Sequence, residues 1–277
     1  MIIHNEEKQM LQHTPRHAEL PLWAEKTTEQ KMDNLKILMN DLKFYARQKE
    51  IPLERLPALS KESDCDHLLQ EVLTEYRRIV GTDILELIFL LEQVKPYDST
   101  ERNHLNAIKE FLLKHPHCIN MNCESGHMTG SALVIDPKQK KVLLHKHKKL
   151  GIWLQFGGHP DYETAPLDVA LREAREESGL MDLRVASLNG TPSVPVDVDL
   201  QTIPAKKNQP EHLHLDMRYL LITETPDLVK AAQGESRNFS WLTIEEANTL
   251  DPATITQGAL RLISKASVYF EQHCATV

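Results

Sequence analysis

Three glutamates of the chain, Glu173, Glu176 and Glu177, have a spacing that could hold a metal ion. In an α-helix, residues at positions i, i+3 and i+4 share one face within about one turn. Carboxylates crowded in this way repel one another unless a cation lies among them. Oxygen ligands suit Mg²⁺, Mn²⁺ or Ca²⁺ rather than Zn²⁺. The spacing therefore predicts a divalent-cation site on one side of a helix, although a solvated acidic face would have the same pattern.

The residues around these glutamates favour such a helix. Pro166 suits its first turn, where the missing N–H costs nothing, and Gly179 suits its end, where a left-handed residue is common. Apolar side chains repeat at helical spacing on a neighbouring face, namely Leu167, Ala170, Leu171 and Ala174. Before the helix, the pair Gly157-Gly158 lets backbone approach a ligand closely and present a carbonyl to it.

Residues 157–180, GGHPDYETAPLDVALREAREESGL, resemble the Nudix box, G-x5-E-x7-R-E-U-x-E-E-x-G-U, where U is a bulky apolar residue. The second half matches at every specified position, with Ala174 as a small U. The first half departs, because its acid is Glu163, one place early when counted from Gly158, as in subfamilies with a GGHxDxD-like loop. Four further stretches resemble bacterial Nudix hydrolases, and the similarity runs from about residue 97 to the C-terminus: GHMTGSALVID, VLLHKHKKLGIWLQFGGH, IPAKKNQPEHLHLDMRYLL and FSWLTIEEA.

The resemblance implies metal-dependent hydrolysis of a phosphoanhydride in a nucleoside diphosphate linked to another moiety. It makes Glu173, Glu176 and Glu177 ligands of Mg²⁺ or Mn²⁺, with activation of water as the alternative role of Glu173. Arg172 becomes an internal partner that orients Glu173, and the Gly157 carbonyl becomes an additional metal ligand. Among the remaining acids, Glu235 is either a further ligand candidate or an ordinary loop glutamate, whereas Asp161 and Glu163 are supporting or solvated loop acids.

Other polar clusters have weaker functional interpretations. His212, His214 and Arg218 fall on one face of a predicted strand and could border the substrate, or could form a polar face paired with acids. The pattern H-x-H-C-x4-C-x3-H from His115 to His127 does not match a standard zinc site, so zinc is not favoured there. The basic run at residues 145–149 could receive phosphate, or be a solvated charge run.

Composition describes an ordinary globular protein of 277 residues, 41% hydrophobic and 26% charged. Its net charge of −8 argues against general nucleic-acid binding through a basic surface. No apolar run is long enough to span a membrane, and the N-terminus lacks the pattern of a secretory signal. Together with only four cysteines, these features predict a cytoplasmic protein without a disulfide framework.

Periodicity divides the chain into a helical extension, residues 1–95, and a Nudix domain, residues 96–277. Helices are expected near 27–45, 63–80 and 83–94 after a poorly ordered arm at 1–26, then at 101–114. Strands are expected around the box helix, with a terminal helix near 256–272. The expected class is α/β, a Nudix α/β/α sandwich. The extension should pack on this domain or on a second copy of the chain, as in a homodimer.

The sequence is compatible with two other functions. A Nudix-fold protein can bind a nucleotide and regulate without cleaving it, but such proteins typically lose box carboxylates, and all three remain here. The helices between residues 27 and 94 could instead form a partner-binding module. The box handles only the diphosphate, so the small-molecule substrate, such as a nucleoside triphosphate, a nucleotide sugar or a dinucleoside compound, is not encoded in it.

Overall fold

A computed structural model of the chain describes residues 27–48, 52–58, 64–65, 67–68, 71–72, 75, 83–115, 123–148, 150–161, 165–188, 190–206, 209–230 and 238–274. Two compact units, Met1–Thr82 and Asp83–Val277, make up the chain. Along the sequence the division falls between residues 82 and 83, and the expected domain boundary near residue 95 stays a prediction. The expected poorly ordered or loosely docked arm, 1–26, lies outside the described residues.

The first unit contains helix α1, Thr28–Gln48, and a 3-10 turn, Leu53–Arg55. The described residues between 65 and 75 are helical as well. Buried side chains of α1 recur every three or four positions, which gives the helix one apolar stripe: Leu35, Met39, Leu42 and Ala46.

The second unit opens with two helices, α2, Asp83–Glu92, and α3, Ser99–Lys114. The Asp98 carboxylate caps α3 by accepting a hydrogen bond of 2.7 Å from the Glu101 amide. Lys109 Nζ lies 3.1 Å from Glu92 Oε1, and both side chains are nearly buried, so this ion pair fastens α2 to α3. This contact ties α2 to α3 within the second unit.

A mixed eight-stranded sheet follows, with the order β3-β2-β1-β7-β5, while β4, β6 and β8 pair with β1, β7 and β2. The central pair, β1 and β7, is parallel, and the other pairs are antiparallel. The strands are β1, Gly126–Asp136; β2, Lys141–Lys146; β3, Trp153–Leu154; β4, Phe156–Gly158; β5, Arg184–Ala186; β6, Asp197–Ile203; β7, His212–Ile222; and β8, Phe239–Thr243.

Helices cover both faces of this sheet. On one face lies α4, Pro166–Ser178, which approaches β1 so closely that a Cβ at Gly130 would meet the Pro166 carbonyl and the Val169 side chain. Alternate residues of β1, Leu133 and Ile135, point the other way and pack with the terminal helix α6, Gln257–His273. A short helix α5, Ile244–Asn248, begins with a capping box. The predicted α/β class and layered architecture are confirmed.

The layer between the sheet and α6 contains a buried network of charged side chains. Asp197 of β6 is its centre, because it accepts hydrogen bonds of 2.8 Å from Arg218 Nε and from Arg261 Nε. Burial would raise the pKa of Asp197, but these guanidinium groups and Lys265 outweigh it and hold the pKa below its ordinary value. Three acids and three bases balance in charge within the network: Glu101, Asp197, Asp199, Arg218, Arg261 and Lys265.

Two expectations about membrane and redox context can be compared with the structure. Within the described part of the chain, no helix has the length and apolarity needed to cross a membrane. Cys123 is disulfide-bonded, whereas Cys65 and Cys274 are free. The sequence predicted no disulfide framework, and Cys123 nevertheless takes part in a disulfide. A thiol committed to a disulfide is also no zinc ligand, which removes one member of the cysteine–histidine pattern considered above.

Candidate active site

Helix α4 carries the three glutamates, and strand β4 lies alongside it. The predicted end signals act as expected: Pro166 is the first helical residue, and Gly179 closes the helix with a φ of 72°. Gly157 N donates a hydrogen bond of 3.1 Å to Glu177 Oε2. At Gly158, an added Cβ would overlap the Glu173 carboxylate, so only glycine leaves room for that side chain. The two glycines therefore bring backbone directly against the acidic face of α4.

Arg172 joins the acidic face to the loop that follows β4. Its Nη1 donates hydrogen bonds of 3.0 Å to Glu173 Oε1 and of 3.0 Å to Glu176 Oε2. Its Nη2 donates one of 2.7 Å to the carbonyl of His159. Asp161 Oδ2 is 3.8 Å from the same guanidinium. Arg172 thus orients two carboxylates and one loop carbonyl at once.

The glutamates differ in environment. The Glu173 side chain is 17% exposed and that of Glu176 is 59% exposed. Burial raises the pKa of Glu173, and the charge and hydrogen bond of Arg172 oppose this shift only in part. One acid of the face is therefore enclosed, and another can turn towards solvent or an incoming ligand.

The donor set of this face fits a hard divalent cation. It consists of carboxylate oxygens beside a glycine backbone, the ligand chemistry that Mg²⁺ and Mn²⁺ prefer. The carboxylates do not converge on a point, because Arg172 holds two of them and Gly157 N binds the third. A cation would compete with Arg172 for the Glu176 carboxylate, whose side chain is 59% exposed.

Other predicted site residues lie away from the three glutamates, within the sheet, or fall outside the described residues. Glu235 and Glu163 belong to segments outside them, so their proposed roles stay predictions. Gly157 lies in β4 opposite Ser131 of β1. Arg218 is 1% exposed and bound by Asp197 and Asp199, so its guanidinium is committed to the buried network rather than presented to a substrate.

Asp216, between His214 and Arg218 on β7, is also internal. It accepts hydrogen bonds from Ser131 Oγ, at 2.8 Å, and from Thr129 Oγ1, at 3.1 Å. Burial raises the pKa of this carboxyl to about 6, against the lowering effects of Arg218 and the two hydroxyls. The polar face of β7 is thus largely satisfied by β1 and β6.

His212 and His214 do join a cluster, but with histidines that the sequence did not group with them. His214 Nε2 lies 3.1 Å from His159 Nε2 and 3.3 Å from His212 Nε2. The His127 ring is 4.9 Å from that of His214, centroid to centroid. Burial lowers the pKa of His127 to about 4 and that of His214 to about 3, and neighbouring imidazoles add to both shifts.

Sequence reasoning missed this grouping because its members come from three separate segments. His127 is the second residue of β1, His159 follows β4, and the other two lie on β7. Only the alternation of His212 and His214 is visible as a pattern. The contacts of His127 depend on strand order, which is not readable from spacing.

The basic run near residue 145 is not a uniform solvated surface. His145 is buried in β2 and stacks on Phe156 with ring centroids 5.1 Å apart. Burial lowers its pKa to about 4, with a further contribution from His147. His145 is therefore part of the core, while Lys146 lies over the Trp153 ring, 5.9 Å from its centroid.

Parts of the chain match a known family model and a known protein. Residues 127–264 match the family model of the NUDIX domain. Over 122 residues the chain is 34% identical to the probable DHNTP pyrophosphohydrolase of Lactococcus lactis subsp. cremoris (strain MG1363), which covers 43% of the chain and 66% of that relative.

Among solved structures, a NUDIX-family hydrolase from Clostridium perfringens is 25% identical, with a TM-score of 0.41 over 53% of this chain and 97% of that one. A C. elegans Ap4A hydrolase in a binary complex is 18% identical, with a TM-score of 0.41 over 52% of this chain and 98% of that one.

Proposed function

Because the chain belongs to the Nudix hydrolase family through residues 127–264, we propose that it hydrolyses a phosphoanhydride with the help of a divalent cation. The proposed substrates are small molecules in which a nucleoside diphosphate is linked to another moiety. One observation carries the proposal. Backbone at Gly157 and Gly158 meets the Glu177 and Glu173 carboxylates directly, which forms an oxygen-rich surface beside a glycine loop.

The residues of this face would have different roles in hydrolysis. Glu176 and Glu177, with Glu173, would hold Mg²⁺ or Mn²⁺, which when bound neutralises phosphate oxygens and lowers the pKa of bound water. Arg172 holds Glu173 and Glu176 in place through its shared Nη1. Gly157 N fixes the Glu177 carboxylate. Glu173, enclosed beside Gly158, is placed either to bind the cation or to accept the proton of the attacking water.

The two roles of Glu173 can be separated by experiment. Glu173→Gln should weaken cation affinity if Glu173 is a ligand, because it removes one charge from the shell. If Glu173 is the proton acceptor, the variant should keep its cation affinity and lose kcat, with a loss typical of general-base removal, roughly 10²–10⁴-fold.

A substrate panel tests the proposal. It should contain nucleoside triphosphates, nucleotide sugars, dinucleoside compounds and DHNTP, the compound in the name of the 34% identical relative. The full chain is assayed with Mg²⁺, with Mn²⁺ and with EDTA, and released phosphate products are separated. Cation-dependent cleavage of at least one compound is expected. Tight nucleotide binding without turnover would instead favour the silent regulatory protein. The cytoplasmic location and the homodimer stay predictions.

A further inference from the structure

Four histidines lie together on the sheet face opposite to α4. Parallel pairing places His127 of β1 directly across from His214 of β7, and His212 lies two residues before His214 on the same face. His159 reaches the cluster from the end of β4. The ring centroids of His127, His159 and His214 are 4.7 to 5.0 Å apart in every pair.

Within the described part of the chain, hydrogen bonds leave the His127 ring unsatisfied and bring three imidazole nitrogens together at His214. His127 is 1% exposed, and neither of its ring nitrogens has a hydrogen-bond partner among the described residues. The Cys123 backbone contacts the ring and opposes part of the lowering of the His127 pKa, but this contact does not have the geometry of a normal hydrogen bond. His214 Nε2 faces the nitrogens of both His159 and His212, although one imidazole nitrogen can only donate once or accept once. Buried polar atoms left in this way are rare and costly.

A metal ion would use the lone pairs that hydrogen bonding leaves over. One ligand atom from each of His127, His159 and His214 lies within 4.8 Å of the others. Tetrahedral zinc, with Zn–N bonds of about 2.0–2.1 Å, needs nitrogens about 3.3 Å apart. Two pairs, at 3.1 Å for His159 with His214 and 3.3 Å for His212 with His214, already have nearly that separation.

His212 shows the supporting contact that metal-binding histidines usually have. Its Nδ1–H donates to the carbonyl of Pro210 at 3.0 Å, and its Nε2 faces His214 Nε2 at 3.3 Å and the side-chain amide nitrogen of Gln209 at 3.4 Å. A backbone carbonyl that fixes the tautomer of an imidazole is a common partner of metal ligands. His212 is therefore oriented towards the fourth position of a tetrahedron.

We propose that His127, His159 and His214 bind one Zn²⁺ or similar transition-metal ion, with His212 beside the fourth position. Imidazole nitrogens select such ions, whereas the oxygen ligands on α4 select Mg²⁺ or Mn²⁺. The two sites lie on opposite faces of the sheet and differ in chemistry. Zinc binding at the histidines does not depend on the proposed hydrolysis.

The proposed ion would stabilise the loop between the two sites. It would join the first residues of β1 and β7 to His159, whose carbonyl is bound by Arg172 at 2.7 Å. Because Arg172 also holds Glu173 and Glu176, the backbone of His159 and the hydrogen bonds of Arg172 connect the histidine site to the acidic face.

Metal titration of the untagged full chain tests this inference. After EDTA treatment and its removal, Zn²⁺ affinity and stoichiometry are measured by calorimetry, and Co²⁺ is added to record its visible spectrum. The variants are His159→Gln, in a half-buried loop position, and His214→Gln, in β7, each checked for folding by circular dichroism. His67→Gln, which changes an exposed histidine of the first unit, is the matched control. Glu177→Gln removes a ligand of the α4 site.

We expect one Zn²⁺ per wild-type chain and a Co²⁺ spectrum of tetrahedral nitrogen ligation. Both should remain in His67→Gln and in Glu177→Gln. Affinity should fall at least about 100-fold in His159→Gln, because loss of a ligand should exceed the 10–100-fold effects of changing its supporting contacts. Absence of zinc binding in the wild type overturns the proposal. So does zinc that Glu177→Gln abolishes and His159→Gln keeps, since that ion would belong to the carboxylates.

Discussion

Individual residues in and around the acidic face have distinct physical roles, and the roles of two glycines are the least obvious. Gly158 is required because a Cβ there would overlap the Glu173 carboxylate, the far end of a flexible side chain. Gly130 is required because a Cβ there would strike the backbone of α4 at Pro166. The first overlap disturbs the site, and the second disturbs the fold.

Alanine at each glycine separates these tasks. Gly158→Ala should fold, because Glu173 can swing aside, but its turnover should fall by about 100-fold, as expected when a catalytic group is misplaced by about 1 Å. Gly130→Ala should instead lose stability, because helix backbone cannot yield as a side chain can. Urea unfolding and steady-state kinetics on both variants measure the difference. Equal stability losses, or a fully active Gly158→Ala, would contradict this account.

The sequence was informative at the box helix and uninformative about the histidines. Pro166, Gly179 and the apolar spacing gave the bounds of α4, because these signals are local. The neighbours of Arg218 and His127 were not predictable, since they depend on which strands pair. Sequence spacing places Arg218 on a strand face but cannot show that Asp197, a residue of another strand, neutralises it.

At the scale of elements, the buried charged network joins β6, β7 and α6. Removing one member leaves the opposite charges buried without compensation, which typically costs about 3–5 kcal/mol. Asp197→Asn removes the central charge while keeping the shape of the side chain. We expect its free energy of unfolding to fall by about 3 kcal/mol or more.

Urea denaturation at neutral pH measures this loss. Asp227→Asn, a change of an exposed aspartate in the 3-10 turn Pro226–Leu228, is the control and should be neutral. If Asp197→Asn were as stable as the control, the network would not support the packing of α6 on the sheet.

Strand β2 carries a pH-dependent contribution at His145. Its pKa is about 4 in the folded chain, below the ordinary value of 6.5. Between these values the unfolded chain binds the proton more readily, so stability falls as pH drops from 6.5 towards 4, by at most about 3 kcal/mol. His145→Phe keeps a ring against Phe156 and removes this titration.

Thermal unfolding across that pH range tests the contribution. The acid loss of stability should be smaller in His145→Phe than in the wild type, whereas His67→Gln, at an exposed site, should follow the wild type. Parallel curves for all three proteins would show that His145 titrates normally.

At the scale of the whole molecule, the chain has two compact units, and α2 belongs to the second. Leu87 and Leu91 of α2 are buried, and its Glu92 pairs with Lys109 of α3. A chain that begins at Asp83 should therefore fold and hydrolyse its substrate. If the extension shapes assembly or access to the substrate, this chain should have a changed mass in solution or a changed substrate preference. A chain that begins at Lys95 should lose solubility as well, because it lacks α2.

Sedimentation of both shortened chains measures their mass in solution, and the substrate panel measures their substrate preference. Identical size, solubility and preference in the full chain and both truncations would mean that residues 1–95 are an independent module. Loss of all hydrolysis in the chain from Asp83 would place a catalytic contribution in the extension, against our expectation.

The central claim, that the acidic face of α4 performs cation-dependent hydrolysis, is tested most directly at Glu177, whose Oε2 accepts from Gly157 N. Turnover of whichever compound the wild type cleaves is measured with Mg²⁺ in Glu177→Gln and in Glu245→Gln, a control at an exposed position of α5. We predict a loss of about 100-fold or more in Glu177→Gln, as for removal of a key electrostatic element, and none in the control. Near-wild-type turnover in a folded Glu177→Gln protein would contradict the assignment of the site.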